Sequence, residues 1–78
     1  MTLRVEFTVE PFVAGAPGPH VIAAVDAAGA HGLAVEFGPF GSSGEGADAD
    51  VLRAMEAAIR AALDAGASRV SLQISRLD

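Results

Sequence analysis

Gly32 to Gly46, GLAVEFGPFGSSGEG, is the stretch whose reading decides the fold. Leu33, Val35 and Phe37 alternate with Ala34 and Glu36, the period of a half-buried strand with one apolar and one polar face. Gly38 and Pro39 break that strand. Proline has no N–H to give to a central ladder, and glycine opens backbone angles closed to other residues. The six residues that follow, Gly41-Ser42-Ser43-Gly44-Glu45-Gly46, carry almost no side chain to pack. Propensity alone assigns them to a loop.

Outward from this stretch the periods are clear. Leu3, Val5, Phe7 and Val9 alternate with Arg4, Glu6, Thr8 and Glu10, which predicts a first strand ended by Pro11. After a connection rich in glycine and proline, Gly18 is placed to cap a helix whose first residue is Pro19, where a missing N–H does no harm. Val21, Ile22, Val25 and Ala28 recur at helical spacing, and the helix is expected to end between Gly29 and Gly32. A second helix is expected from an Asp48 N-cap, with Val51, Leu52, Met55, Ile59, Ala62 and Leu63 as its apolar stripe and Gly66 as its stop. Val70, Leu72 and Ile74 alternate with Arg69, Ser71, Gln73 and Ser75 in a last strand.

With the Gly41–Gly46 segment counted as a strand, the order is βαββαβ. Right-handed crossovers fold that order into a four-stranded antiparallel sheet with both helices on one face, the ferredoxin-like α+β arrangement. The other sheet face stays uncovered. Parity places Arg4, Glu6, Thr8, Glu36, Arg69, Ser71 and Gln73 on it. Residues 1–78 are expected to form a single domain, because no repeat, linker or low-complexity tract divides them.

Composition narrows the function. A 78-residue chain buries only about 60% of its unfolded surface. The absence of cysteine removes disulfides and thiolate metal sites as staples. Association between copies is the remaining common route to stability, and a homo-oligomer is expected. The net charge is −5, and all five basic residues are arginines scattered along the chain. A phosphate-tracking surface needs a concentrated basic face, so nucleic acid is not an expected partner. No signal-peptide pattern and no apolar run of about 20 residues is present, so the protein is expected to be cytoplasmic and free of the membrane.

Four segments, taken together, resemble the thiamine-binding protein family. They are Val5-Glu6-Phe7-Thr8-Val9-Glu10-Pro11, Gly32 to Ser42, Glu45-Gly46, and Ala65-Gly66-Ala67-Ser68-Arg69-Val70. The resemblance covers nearly the whole chain. It implies a small ferredoxin-like, non-catalytic protein that binds thiamine or its hydroxymethylpyrimidine moiety and assembles as dimers that pair into tetramers. It also implies that Gly41–Gly46 is the third strand, lying beside the first in the middle of the sheet. Phe40, Ser42 and Gly44 stand where the family often has methionine, threonine and a large aliphatic residue.

An aminopyrimidine needs acceptors for its amino group and a donor for a ring nitrogen, and a thiazolium cation is attracted to carboxylates and aromatic faces. Glu6, Thr8, Glu36 and Ser42 are therefore the candidate polar contacts on the open sheet face. Phe40 is the candidate aromatic, with Phe12 at another Pro-flanked corner. Glycines in a strand mark bulges or places where a ligand ring or another backbone comes close, which puts the site near the Gly41–Gly46 strand. Each of these polar residues also has a plainer role as a solvated sheet face, and each phenylalanine as core or subunit contact.

His20 and His31 lie a helix apart with no partner at zinc-ligand spacing, so no metal site is expected. Gly41–Gly46 lacks the lysine of a phosphate-binding loop, and Asp48 and Asp50 are accounted for by a helix start. With no nucleophile beside an orienting base, neither a catalytic residue nor a cofactor is assigned, and an acylphosphatase-like hydrolase is set aside. The alternative from a different class is a structural or regulatory oligomer that uses the open face only for subunit contact and has no vitamin ligand.

Overall fold

The computed structural model describes residues 1–11, 18–38 and 41–78. Its elements are β1 (Thr2–Glu10), α1 (Pro19–Ala30), β2 (Val35–Gly38), β3 (Gly41–Ala47), α2 (Asp48–Asp64) and β4 (Arg69–Arg76). The strands form one antiparallel sheet in the order β2-β3-β1-β4. This is the ferredoxin-like α+β fold, and Gly41–Ala47 is a central strand rather than a loop. Phe12, Pro39 and Phe40 lie outside the described residues.

Leu3, Val5, Phe7 and Val9 are buried, as their alternation predicts, and they meet Val51, Ala54, Met55, Ala58 and Ala62 of α2 and Ala24 and Ala28 of α1 in one core. Much of the helical contribution is alanine, which lets the helices lie close to each other and to the sheet. The expected stripes were too generous. Leu52 and Leu63 of α2 are 52% and 50% exposed, and Ile22 of α1 also faces solvent, while Ala54 and Ala58 do the packing. A 3.6-residue period marks a broad face, and the burial is decided by where the neighbouring element lies.

Gly18 is the N-cap of α1 and Pro19 opens it. The His20 ring folds back over Gly18, where an added Cβ would stand 2.7 Å from the imidazole Cε1. His20 Nε2 also lies 2.6 Å from the Pro11 carbonyl oxygen, fastening the helix start to the end of β1. The helix stops at a His31 C-cap, and Gly32 follows at φ +86°, a left-handed angle that favours glycine. Gly66 does the same after α2 at φ +103°.

The N-cap of α2 is Ala47, one residue before the expected Asp48. Asp48 instead occupies the first turn, where its charge and that of Asp50 favour the positive end of the helix. The Asp48 N–H donates to the Met1 carbonyl at 3.0 Å. Nearby, the Thr2 N–H donates to Asp78 Oδ1 at 2.9 Å and the Leu77 N–H to the Thr2 carbonyl at 3.0 Å. The start of β1 and the end of β4 are thus clasped together.

Candidate functional site

The register of β3 fixes which side chains share the open face. Directly opposed residues in an antiparallel ladder point the same way. Ser43 stands opposite Glu6 of β1 on one side and Glu36 of β2 on the other, and Glu6 in turn stands opposite Gln73 of β4. Glu36, Ser43, Glu6 and Gln73 therefore form one polar row across all four strands, on the face that neither helix covers. Neighbouring strands lie about 4.8 Å apart, so the backbones at Glu6 and Glu36 stand roughly 10 Å from each other with Ser43 between them.

The rows on either side complete the face. Arg4 stands between Glu45 and Ser75. Its guanidinium donates to Glu45 Oε1 from Nη1 and to Glu6 Oε1 from Nε, both at 3.4 Å. Beyond Glu6 come Thr8 and Ser71, and then Glu10 and Arg69, joined by an Arg69 Nε hydrogen bond to Glu10 Oε2 at 2.7 Å. That bond and the charge of Glu10 hold the Arg69 guanidinium above its ordinary pKa. Four glutamates against two arginines leave the face net acidic. Among the described residues, Glu36 is its one carboxylate with no ion pair.

Three of the five residues expected at the site, Glu6, Thr8 and Glu36, lie on this face. Phe40 lies outside the described residues. Ser42 is a correction: it stands opposite Phe7, on the helix-facing side, and is only 7% exposed. A one-residue difference in register exchanges the faces of a strand, and the hydroxyl on the open face belongs to Ser43. Sequence alternation does not reveal this, since GSSGEG has no apolar residue to mark the inward side.

Gly44 faces the core opposite Val5 and Val35. A Cβ there would stand 2.9 Å from the Ala34 carbonyl oxygen and 3.2 Å from Cγ and Cδ1 of Leu33. The close approach that glycine permits is therefore made by the segment leading into β2, on the far side of the sheet from the polar row. Leu33 is among the largest fully buried side chains and fills the space a residue 44 side chain would need. Gly41 is the glycine of the open side. Its Cβ would meet the Phe7 carbonyl oxygen at 2.9 Å and the Thr8 methyl at 3.0 Å, so it lets β3 lie against β1.

Among the described residues no group of three metal-ligating side chains occurs, and no helix is long and apolar enough to cross a membrane.

No protein-family model and no curated protein matches the chain. Solved structures do. A hypothetical protein from Methanocaldococcus jannascii is 26% identical with a TM-score of 0.74, over 99% of this chain and 81% of that one. A domain of unknown function, DUF77, from Bacillus cereus is 26% identical with a TM-score of 0.67, over 95% and 72%. A Thermotoga maritima protein assigned provisionally to thiamine biosynthesis or salvage shares the fold, at 20% identity and a TM-score of 0.53 over 96% and 81%. The chain is similar to a group of small ferredoxin-like proteins.

Proposed function

We propose that the protein is a non-catalytic, cytoplasmic binder of thiamine or its hydroxymethylpyrimidine moiety, with the ligand lying flat on the open sheet face. The observation that carries this is the row Glu36–Ser43–Glu6–Gln73. It offers carboxylates to an exocyclic amino group, a hydroxyl and an amide to ring nitrogens, and a net negative field to a thiazolium. A two-ring cation spans the distance between the glutamates. The ligand class itself comes from the sequence resemblance and from the fold shared with the Thermotoga maritima protein. Homo-oligomerisation, as dimer or tetramer, would cover the open face and shield the ligand from water.

A structural oligomer without a ligand is the second reading, favoured by the way Arg4 already engages Glu6 and Glu45 within the face. Calorimetric titration separates the two. Thiamine and hydroxymethylpyrimidine should bind saturably to ligand-stripped protein, and Glu36→Gln should weaken thiamine about tenfold, the size of one hydrogen bond to a charged group. No heat and no thermal shift at millimolar ligand, from a folded protein, refutes the vitamin reading.

A further inference from the structure

The two carboxylates of the polar row are not equivalent. Glu6 is already engaged by Arg4, two residues before it on the same face of β1, which donates from Nε to Glu6 Oε1 and from Nη1 to Glu45 Oε1, both at 3.4 Å. Among the described residues Glu36 has no such partner. The surroundings differ as well. The rungs that flank Glu6 carry full side chains, Arg4 between Glu45 and Ser75 on one side and Thr8 opposite Ser71 on the other. Next to the Glu36–Ser43 rung comes Gly38 opposite Gly41, two residues along each strand and so on the same face. Neither glycine has a side chain, so the face beside Glu36 is bare backbone on which a flat ring can lie. The row therefore has an unpaired, uncrowded acid at its β2 end and a neutralised, hydrogen-bonding end on β1 and β4.

We propose that Arg4 is a positioning residue that gives the face a direction. It withholds Glu6 from the ligand's cation, so that the thiazolium of thiamine lies beside Glu36, over the Gly38–Gly41 rung, and the aminopyrimidine lies towards Glu6 and Gln73. This rests on the reading of the open face as a thiamine site. The physical reason is competition for one charge. A guanidinium shared between Glu6 and Glu45 offsets the negative potential at Glu6, whereas nothing on the Glu36–Ser43 rung offsets the potential at Glu36. The Glu6 carboxylate keeps acceptor capacity, since the bond from Arg4 occupies Oε1 alone, and Gln73 opposite it adds an amide donor and acceptor. Those groups suit an uncharged aminopyrimidine better than a permanent cation. Exposed ion pairs add little to stability, so a variant without the Arg4 charge keeps the fold. A bound ring that excludes water from the face makes the same charges count for more than they do in the free protein.

Thiamine carries a permanent cation and hydroxymethylpyrimidine does not, so the two compounds read the two ends of the row separately. In calorimetric titration at mildly alkaline pH, Glu36→Gln should weaken thiamine about tenfold and hydroxymethylpyrimidine less than about twofold. Glu6→Gln should weaken both by a similar factor. Arg4→Met keeps the reach of the side chain and removes its charge. In that background Glu6 becomes a second acid open to the cation, and Glu36→Gln should then weaken thiamine by no more than about threefold. A role of Arg4 confined to folding would leave the effect of Glu36→Gln as it was. An undiminished loss in the Arg4→Met background therefore overturns the proposal, as does a Glu36→Gln protein that loses hydroxymethylpyrimidine as strongly as thiamine. Either result leaves thiamine binding itself in place. A folded wild-type protein that binds neither compound overturns the site and its direction together. Should Arg4→Met not fold, Arg4→Gln takes its place in the same comparison.

Discussion

Replacing Gly44 with alanine tests both the register of β3 and the side of the sheet on which the glycine acts. The added Cβ meets a backbone oxygen at 2.9 Å, which cannot swing away, and two Leu33 carbons at 3.2 Å. Overpacking of this kind costs about 1–3 kcal/mol. The loss of backbone freedom in the unfolded chain offsets about 0.4–1 kcal/mol of it. The net expectation is a loss of roughly 1–2 kcal/mol, or a fall in Tm of about 5–15 °C for a domain of this size. Gly29→Ala is the control. It lies inside α1 at an ordinary helical angle with nothing within 4 Å of the new methyl, so the same substitution should stabilise by about 0.5–1 kcal/mol. Both variants are read by urea and thermal unfolding followed by far-UV circular dichroism at one protein concentration, since association shifts the midpoint. Thiamine affinity should change less than about twofold in Gly44→Ala, because the methyl lies on the far side of the sheet. A Gly44→Ala protein as stable as wild type would refute the packing of Leu33 against β3. A large loss of ligand affinity at unchanged stability would put Gly44 on the open face.

Ser43→Ala should weaken thiamine several-fold in calorimetry, whereas Ser42→Ala should leave the affinity unchanged; the reverse order would mean that β3 is one residue out of register. Leu33→Ala should destabilise by about 2–5 kcal/mol in urea unfolding, as expected for a fully buried leucine. Thiamine diphosphate should bind more weakly than thiamine because it brings negative charge to a net acidic face, and added salt should narrow the gap measured by competition titration.

The sequence was most legible where side chains alternate strongly. Leu3 to Glu10 and Val70 to Ser75 point as their parity predicts, and the glycine and proline punctuation places both ends of α1. β3 was illegible from propensity because its stability comes from hydrogen bonding to strands on both sides rather than from its own side chains; only the family resemblance made it a strand. Its facing could not follow from the resemblance, and so Ser42 and Ser43 were exchanged. Glu6, Thr8 and Glu36 lie on the expected face because each sits in a strand whose apolar alternation fixes the polar side. The start of α2 was missed by one residue because Asp48 acts through its charge and its backbone N–H, while an alanine takes the cap.

The clasp between the chain ends also bears on how the domain folds. β1 and β4 are antiparallel neighbours whose contacts join residues as far apart in sequence as Glu10 and Arg69, 59 positions, and Thr2 and Asp78, 76 positions. Such contacts repay the entropy of closing the chain only late in folding. A short turn joining Asp78 to Met1, with new ends opened in a surface loop, would make β4 and β1 a hairpin. The most distant pairing of the sheet would then be among its most local, with the same native contacts and a lower contact order. A circular permutant of this kind should fold faster than the parent while keeping its sheet, and the difference would measure how much of the folding barrier lies in bringing the last strand to the first.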